Sequence, residues 1–377
     1  MSTVLFVFGT RPEAIKLAPV IDELRRNASF RVRVCVTGQH REMLAQVLRL
    51  FDIVPDADLD VMKPDQDLAT VTAAILAGMS KVLREMRPDV VVVQGDTTSA
   101  FAAGLAAFYA GIEVAHVEAG LRSGDDYAPW PEEVNRKLLS IVTRLHFAPT
   151  EDARENLLRE GTDPARIHVT GNTVIDTLKR TVSRIDSDAA LRARLDDDFS
   201  FLDDDRRMIL VTGHRRENFG AGFESICNAL AEIAEEHREV EIVYPVHLNP
   251  NVRLPVRRIL GESSRVYLIE PVDYVSFVHL MQRSHFILTD SGGVQEEAPT
   301  LGKPVLVMRD TTEREEAVRA GNVRLVGTVQ ESIVAAAGRL LSDDVHREGM
   351  SQPTDAFGDG RASSRIATIL RATLPVS

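Results

Sequence analysis

The sequence predicts an α/β protein with two doubly wound, Rossmann-like domains that face each other across a cleft. Three observations lead to this fold class. Short apolar runs alternate with amphipathic, helix-like segments along most of the chain. The runs are continuously apolar, which is typical of strands covered on both faces of a parallel sheet. The alternation weakens once, near the middle, and then begins again, which indicates two sets of βαβ units.

In the first half, four predicted strands alternate with three predicted helices. The helix after the first strand has Ala14, Leu17 and Ile21 on one face, and Pro12 suits its first turn. Further helices are expected near Arg41–Phe51 and Ser99–Tyr109. The predicted strands are Val4–Phe8, Val32–Thr37, Val90–Val93 and Val114–Val117.

The segment from Asp186 to Arg207 is predicted to be a polar connector with a short helix, and its two acidic triplets to be solvated surface. We expect an N-terminal domain over residues 1–170, joined by a C-terminal helix at 363–377, and a second domain over 171–362. Strands of the second half are predicted at Met208–Thr212, Glu241–Val246, Arg265–Ile269, Phe286–Thr289, Val305–Met308 and Val323–Val326.

Composition excludes several classes of protein. The 377 residues are 44% apolar, enough for more than one domain, and the net charge of −12 disfavours binding to nucleic acid or to a membrane surface. No apolar run is long enough for a signal sequence or a membrane span, so we expect a soluble, cytoplasmic protein. Cys35 and Cys227 have neither a disulfide nor a metal-ligand pattern and are predicted to be small buried residues.

Polar residues follow the predicted strands, at the edge where parallel sheets bind ligands. In the first half these are carboxylates, with Asp96 and Glu118 at adjacent strand ends. In the second half they are anion-binding groups, His214, Arg215 and Arg314, and a Ser-Gly-Gly turn before a helix. Acids in one domain and phosphate binders in the other indicate an enzyme acting on a phosphorylated or nucleotide substrate.

Polar residues at these strand ends and in the loops that follow them also have structural alternatives. Asp96 could cap the helix that follows it, and Glu132 or Glu133 could be first-turn residues that complement a helix dipole. The charges of Arg11 and Lys16 could be solvated, although Gly9 just before them favours a functional role.

Two further structural alternatives concern loops. The turn His214-Arg215-Arg216 could be solvated, although its place at a strand end favours an anion site. Trp130, between two prolines, is predicted to be a packed loop anchor.

Several nucleotide and catalytic motifs are absent from the sequence. No G-x-G-x-x-G opens the first βα unit, which disfavours NAD, and no P-loop is present. There is also no G-x-S-x-G elbow and no H-E-x-x-H. We therefore predict no cofactor and no metal.

Nine long strings of the sequence match a known protein family. They are FGTRPEAIK (8–16), TGQHREML (37–44), QGDTTSA (94–100), HVEAGLRSGD (116–125), PWPEEVNR (129–136), GNTVIDTL (171–178), TGHRRENFG (212–220), PVHLNPNV (245–252) and TDSGGVQEEAPTLGKPVLVMRDTTER (289–314). With these strings, in order and over nearly its whole length, the chain resembles the non-hydrolysing UDP-N-acetylglucosamine 2-epimerases. This resemblance implies the two-domain GT-B-type fold, a homodimer, and NAD-independent interconversion of UDP-GlcNAc and UDP-ManNAc for polysaccharide biosynthesis.

The resemblance also implies a mechanism and residue roles. The family eliminates UDP across C1–C2 to give 2-acetamidoglucal and then adds UDP back with protonation on the other face. Asp96, Glu118 and Glu132 match its acid–base set, with their division between the two faces left open, and His214 matches the residue at the leaving diphosphate. Substrate contacts fall on Arg11, Lys16, Arg215, Phe277 (uracil), Ser291, Gly292, Gly293, Glu297 (ribose) and Arg314, while Glu296 is taken as structural.

A candidate allosteric UDP-GlcNAc site corresponds to Gln39, His40 and Glu42, together with His247. Strongly regulated members often have Gln where this chain has Glu42, so regulation is a hypothesis.

Three other functions compete with epimerisation. A hydrolysing relative is disfavoured by RPEAIK and GHRREN, a glycosyltransferase by three acids on one side, and a UDP-sugar sensor by the complete acid set.

Overall fold

The computed structural model describes residues 1–38, 41–62 and 66–374. It divides into two compact units. The first contains Met1–Thr177 and the chain from Gly358 onward, and the second contains Leu178–Phe357. Each unit is one parallel sheet with helices between its strands, which confirms the prediction of two doubly wound α/β domains.

The first unit has seven strands within its described residues, in the order β3-β2-β1-β4-β5-β6-β7, and all pairings are parallel. Adjacent β1 and β4 mark the point where the strand order reverses. The short strands β3, β6 and β7 were not predicted. The strands are β1 (Ser2–Phe8), β2 (Phe30–Val36), β3 (Ala57–Asp58), β4 (Val90–Gln94), β5 (Glu113–Val117), β6 (Leu145–Ala148) and β7 (Ile167–Val169).

The helices of the first unit follow its strands. The first begins with a capping box in which Thr10 and Glu13 satisfy each other's backbone groups, and Pro12 lies in its first turn as predicted. The last of this series passes from the first unit into the second. The helices are α1 (Arg11–Arg25), α2 (Arg41–Leu50), α3 (Leu68–Met86), α4 (Thr98–Tyr109), α5 (Glu132–Val142), α6 (Glu151–Arg159) and α7 (Thr173–Ser187).

The second unit has six strands within its described residues, in the order β10-β9-β8-β11-β12-β13, again all parallel. Here the strand order reverses between β8 and β11. All six had been predicted to within two residues at each end. The strands are β8 (Arg207–Thr212), β9 (Val240–Pro245), β10 (Val266–Ile269), β11 (Phe286–Thr289), β12 (Val305–Val307) and β13 (Val323–Leu325).

The remaining helices complete the second unit, apart from the last, which packs on α1 of the first unit. Apolar strand residues and the inner helix faces form a buried core in each unit. The helices are α8 (Ala189–Asp198), α9 (Ala221–Glu236), α10 (Pro250–Leu260), α11 (Tyr274–Arg283), α12 (Gly292–Glu297), α13 (Glu315–Arg319), α14 (Gln330–Ser342), α15 (Asp344–Met350) and α16 (Ala362–Thr373).

The connector contains a short helix, α8, as predicted, and the residues of both acidic triplets are exposed. Two of them also pair with α11: Asp196 lies 3.3 Å from His279 and Asp204 lies 2.5 Å from Arg283.

Both cysteines are buried, as predicted. The prediction for Trp130 was wrong, because its side chain is 61% exposed. None of the helices in the part of the chain that the structure describes combines the length and the apolar composition that a membrane span needs.

Candidate functional site

In the first unit, the loops after β1, β4 and β5 leave the same edge of the sheet. They carry Gly9 and Thr10, Gly95 and Asp96, and Glu118, respectively. Since β4 lies between β1 and β5, these loops are direct neighbours. This edge includes the place between β1 and β4 where the strand order reverses. At this place, called the switch point, parallel sheets bind their ligands.

Glu118 is the most buried of the three predicted acid–base carboxylates. Its side chain forms an ion pair with Lys16 of α1 and accepts a hydrogen bond of 3.0 Å from the amide of Gln94. Its backbone has a φ of +65°, which is unusual for a residue with a long side chain and is characteristic of functional sites. The fold thus holds one carboxylate against one ammonium group at the strand edge, and Lys16 is not a solvated surface charge.

Asp96 is bound by α5. Its carboxylate accepts hydrogen bonds from Nε and Nη2 of Arg136 at 2.8 and 2.7 Å, and its carbonyl accepts one from the amide of Asn135 at 2.9 Å. The helix cap considered for Asp96 is instead formed by Thr97, whose hydroxyl accepts from the backbone N–H of Ala100 at 3.0 Å. The capping alternative for Asp96 was therefore wrong.

Glu132 and Glu133 both lie in the first turn of α5, as the structural alternative predicted. They differ in burial. Glu133 is fully buried and accepts hydrogen bonds from Arg136 at 2.8 Å and from the backbone N–H of Ser123 at 3.1 Å. Glu132 is half-buried. Glu133 therefore anchors Arg136, and through it Asp96, whereas Glu132 remains the more accessible carboxylate.

Glu13 is a further functional candidate that sequence reasoning missed. It is buried and accepts hydrogen bonds from the backbone N–H groups of Gly9 and Thr10 at 3.1 and 2.8 Å, and from the Thr97 hydroxyl at 2.7 Å. It thereby joins the loop that leads to Arg11 with the loop that carries Asp96. The spacing Thr10-x-x-Glu13 of a capping box was a signal that could have revealed it.

His116, within β5, supports the loop that carries Gly95 and Asp96. Its Nε2 lies 2.7 Å from the carbonyl oxygen of Gly95, and burial lowers its pKa to about 4. A neutral imidazole therefore donates to this carbonyl at neutral pH. Gly95 has a φ of +68°, so the turn that presents Asp96 requires a residue that accepts the left-handed conformation.

In the second unit, the loops after β8 and β11 meet at the switch point. Asp290, directly after β11, accepts hydrogen bonds from the backbone N–H groups of His214 and Arg215, both at 2.8 Å. The His214 ring stacks on that of His247, with centroids 5.5 Å apart. Burial lowers the pKa of His214; Asp290 opposes this effect and Arg215 adds to it. Sequence reasoning did not single out Asp290, which lies inside the TDSGG string.

A network of charges surrounds the Ser-Gly-Gly turn. Arg314 is bound by Glu296 through its Nε and Nη2, each at 2.9 Å, and by Glu313. Burial alone would raise the pKa of Glu313, but Arg314, Arg309 and Arg215 together hold it well below its usual range. Glu296 therefore anchors Arg314, as the structural role expected for it suggests.

The Arg314 guanidinium lies directly against Gly292. A Cβ atom at Gly292 would lie 2.7 Å from its Cζ, whereas a Cβ atom at Gly293 would have no neighbour closer than 3.9 Å. Ser291 occupies the N-cap position of α12, and its backbone N–H donates to the Thr289 hydroxyl at 2.9 Å. The turn thus brings together a guanidinium group and the start of a helix.

Glu297 lies at the end of α12 and is buried. It accepts a hydrogen bond from the hydroxyl of Tyr274, at the start of α11. Its Oε2 would be 3.9 Å from a Cβ atom at Gly293, so the carboxylate is close to the turn. Phe277 is half-buried one turn further along α11.

The candidate allosteric residues are only partly described. Gln39 and His40 lie outside the described residues, as does the side chain of Glu42. His247 stacks on His214, and its Nδ1 accepts a hydrogen bond of 3.1 Å from the backbone N–H of Asn249. Within the described ranges, no group of three or more His, Cys, Asp or Glu residues could hold a metal ion.

Each unit has a doubly wound parallel sheet with polar loops at its switch point. These features are typical of the class of nucleotide-binding α/β proteins. A structure described as the glycotransferase of kitacinnamycin shares this fold, with a TM-score of 0.65, 14% identity, and 99% of each chain covered. At that identity the likeness concerns the fold alone. It agrees with the GT-B type that the resemblance implied.

The family model for UDP-N-acetylglucosamine 2-epimerase matches residues 22–371. The UDP-N-acetylglucosamine 2-epimerase of Escherichia coli K12 is 58% identical over 368 residues, with 98% of each chain covered. The structure of the UDP-GlcNAc 2-epimerase of Neisseria meningitidis, bound to UDP-GlcNAc, has a TM-score of 0.96 and 49% identity, covering 98% of this chain and 100% of that one. The chain belongs to the UDP-N-acetylglucosamine 2-epimerase family and is an enzyme, an isomerase.

Proposed function

We propose that the enzyme interconverts UDP-GlcNAc and UDP-ManNAc by inverting C2, through elimination of UDP and its re-addition. The reaction is supported by relatives that match almost the whole chain and are UDP-N-acetylglucosamine 2-epimerases. The observation that carries the mechanism is the pair of carboxylates Asp96 and Glu118 at neighbouring strand ends of the first unit, each bound to a basic side chain.

The chemistry explains why carboxylates are needed. The C2 proton of the sugar has no adjacent carbonyl, so its direct removal is difficult. In the proposed route, a carboxylate takes this proton while the C1–O bond to UDP breaks and a C1–C2 double bond forms, giving 2-acetamidoglucal. Addition of UDP at C1, with a proton delivered to the opposite face of C2, completes the inversion. Asp96, Glu118 and Glu132 are the proposed acids and bases.

The second unit is proposed to bind UDP and to stabilise the charge of the departing diphosphate. His214, Arg215 and Arg314 are positioned by Asp290, Glu313 and Glu296, and Ser291, Gly292 and Gly293 supply backbone and hydroxyl donors. Preorganised donors of this kind act where negative charge develops. Arg11 and Lys16 contribute positive charge from the first unit, Glu297 binds the ribose and Phe277 the uracil.

The family resemblance supports further proposals about organisation and regulation. We propose a cytoplasmic homodimer in which residues 1–170 and 363–377 carry the acid–base groups and residues 171–362 bind UDP. UDP-GlcNAc is proposed to activate the enzyme at Gln39, His40, Glu42 and His247. A hyperbolic rate, with UDP-ManNAc alone epimerised without a lag, would contradict this activation.

One experiment tests the reaction. The enzyme is incubated with UDP-GlcNAc in D₂O and the products are followed by proton NMR. We expect UDP-ManNAc with deuterium at C2, because the departing proton exchanges with solvent. Retention of the C2 proton would refute the elimination, and accumulation of free ManNAc with an equal amount of UDP would identify a hydrolysing enzyme.

A substitution tests the leaving-group role. We expect His214→Ala to lower kcat by roughly 10²–10⁴-fold, as for loss of a general acid–base group. His237→Ala is a matched control, since this histidine follows α9 and pairs only with exposed Glu239 among the contacts described. Normal turnover of His214→Ala would remove His214 from the site.

A further inference from the structure

The two carboxylate oxygens of Asp290 have different environments. The side chain is fully buried, and its Oδ2 accepts both backbone N–H groups of the His214–Arg215 turn. Its Oδ1 is buried too, yet has no hydrogen-bond partner among the described residues. The nitrogen that faces this oxygen is Nδ1 of His214, 3.5 Å away.

We propose that Asp290 is a positioning residue that fixes the tautomer of His214. In this arrangement Nδ1 carries a hydrogen directed at Asp290 Oδ1, and Nε2 is the nitrogen that takes up a proton from solvent. The resulting imidazolium, stabilised by Asp290, donates this proton from Nε2 to the substrate. The proposal rests on the proposed function only in identifying the acceptor of this proton as an oxygen of the departing diphosphate of UDP. The tautomer itself is a property of the free enzyme and can be measured without turnover.

The position of Oδ1 supports a role beyond holding the turn. Oδ2 alone accepts both backbone N–H groups, so holding the turn does not need the second oxygen. A buried acceptor without a donor is destabilising, so we expect a nearby donor to be recruited. A small rotation of the half-exposed His214 ring would close the 3.5 Å gap. Hydrogen bonds at catalytic groups are often long without substrate and shorten when it binds.

The sheet explains how the pair is assembled. Thr212 and Thr289 are register partners on adjacent β8 and β11, and the backbone N–H of Asp290 donates to the Thr212 carbonyl at 3.1 Å. His214 follows Thr212 by two residues and Asp290 follows Thr289 by one. The pairing of two central strands therefore sets the distance between imidazole and carboxylate.

The groups around His214 set its charge as well as its tautomer. Asp290 comes from the loop after β11, Arg215 from the same loop as His214, and His247 from the loop after β9. Since His247 Nδ1 accepts from Asn249, the neutral His247 ring carries its hydrogen on Nε2. Burial and Arg215 lower the pKa of His214 and Asp290 raises it, so loss of the Asp290 charge should lower this pKa further.

Asp290→Asn separates the two roles. The asparagine oxygen can still accept both backbone N–H groups, while its NH₂ group then faces Nδ1 of His214. A donor at that place favours the opposite tautomer, with the hydrogen on Nε2. The matched control is Asp273→Asn, the same change at the residue that caps α11 by accepting from the N–H of Ser276 at 2.8 Å.

The readout is ¹⁵N NMR of histidine-labelled, full-length enzyme, with the His214 signals assigned by their loss in His214→Gln. We expect the Nδ1–H tautomer in the native enzyme and in Asp273→Asn, and the Nε2–H tautomer in Asp290→Asn. The His214 titration should move to lower pH in Asp290→Asn. In epimerisation assays, kcat of this variant should fall by roughly 10²–10⁴-fold, with a much smaller change in KM.

Three results would overturn the proposal. The first is a native His214 with its hydrogen on Nε2, and the second is an Asp290→Asn spectrum identical to that of the native enzyme. The third is an inverted tautomer with unchanged kcat. A failure of the proposed function looks different, because the native enzyme would then show no C2 exchange while the NMR result still decides the tautomer.

Discussion

The ammonium group of Lys16 forms an ion pair with the carboxylate of Glu118 inside the first unit, where their side chains are only 9% and 6% exposed. The pair joins α1 to the end of β5. In such a place, removing one partner leaves an uncompensated charge in a poorly solvated site, and this usually costs more than the pair contributes. The two residues are therefore coupled in their effect on the stability of the first unit, as well as in their proposed roles at the site.

We predict that Lys16→Met destabilises the first unit by about 3–5 kcal/mol, because the buried ion pair between Lys16 and Glu118 is lost. Lys16→Met with Glu118→Gln should recover part of this loss, since no charge is then stranded. Hydrogen exchange of the β1, β4 and β5 peptides measures the opening free energy of this unit. A double variant as unstable as the sum of the two single variants would contradict the coupling.

The matched control is Arg154→Met on α6. Arg154 pairs with the exposed residues Glu151 and Glu155, at 3.8 and 3.0 Å. Surface pairs of this kind contribute about 0–1 kcal/mol, so a small effect is expected.

A second prediction concerns Glu13 and pH. Burial raises the pKa of Glu13, although its hydrogen bonds from Thr10, Thr97 and Gly9 oppose that effect. A carboxyl group with a raised pKa in the folded state contributes stability that is complete below its unfolded pKa and is lost as pH rises through the folded value. The native enzyme should therefore lose stability relative to Glu13→Gln as pH rises above about 4.3, the ordinary pKa of glutamate.

The measurement is the difference in urea midpoint between native enzyme and Glu13→Gln, taken from pH 4 to pH 8. This difference should move in favour of the variant with rising pH. Glu151→Gln, at an exposed residue of α6, serves as the control and should show no such trend. A difference that stays constant, or grows in favour of the native enzyme, would contradict the effect of burial.

The Ser-Gly-Gly turn allows a steric test. Gly292→Ala would place a Cβ atom 2.7 Å from Cζ of Arg314, which Glu296 and Glu313 hold in place. We expect Arg314 to be displaced and UDP affinity to fall by roughly 10-fold or more, in line with about 1.5–3 kcal/mol for a hydrogen bond to a charged group. Calorimetric titration with UDP measures this loss.

Gly293→Ala is the matched control, because a Cβ atom there meets nothing closer than 3.9 Å. Its UDP affinity should remain near the native value. Gly292→Ala combined with Arg314→Ala should bind UDP no more weakly than Arg314→Ala alone. Equal losses in both glycine variants would mean that the Arg314 contact is not the cause.

The role proposed for Glu297 separates nucleoside from phosphate recognition. If its carboxylate accepts hydrogen bonds from the ribose hydroxyls, Glu297→Ala should weaken UDP binding by roughly 10–100-fold. Binding of pyrophosphate, which has no ribose, should be almost unchanged. Tyr274→Phe, which removes only the hydroxyl that donates to Glu297, should have a smaller effect on UDP. An equal loss of affinity for UDP and for pyrophosphate would mean that Glu297 shapes the Ser-Gly-Gly turn and does not bind the ribose.

The cysteines provide a test of burial. Burial raises the pKa of both Cys35 and Cys227 to about 12, so their thiols are protonated at pH 8. We expect almost no reaction of the native enzyme with a thiol reagent such as Ellman's reagent over minutes, and release of two equivalents in denaturant. Rapid labelling of the native enzyme at either residue would show that its surroundings open readily.

The sequence predicted strands well where an apolar run was long. Val4–Phe8 and Phe286–Thr289 lie within observed strands because residues covered on both faces must be apolar throughout. The two-residue strand β3 and the three-residue strand β7 are too short to give a periodic signal. In β6, His146 interrupts the apolar run, and burial lowers its pKa to about 3.

The partners within each site could not be predicted as readily. Strand ends identify Asp96, Glu118 and His214, because a parallel sheet places its ligand-binding loops there. Which side chain orients each of them depends on pairs distant in sequence, such as Arg136 with Asp96 and Asp290 with His214. Single-sequence patterns contain no information on such pairs, and only the folded backbone supplies it.

The contacts of His214 with Asp290 also have a consequence for synthesis of the chain. The residues are 76 positions apart, because β8 and β11 are neighbours in the sheet but not in sequence. A ribosome completes His214, β9 and β10 before Asp290 is made. Truncated or nascent chains that end before β11 therefore lack this anchor, and UDP should not protect them from proteolysis as it protects the complete enzyme.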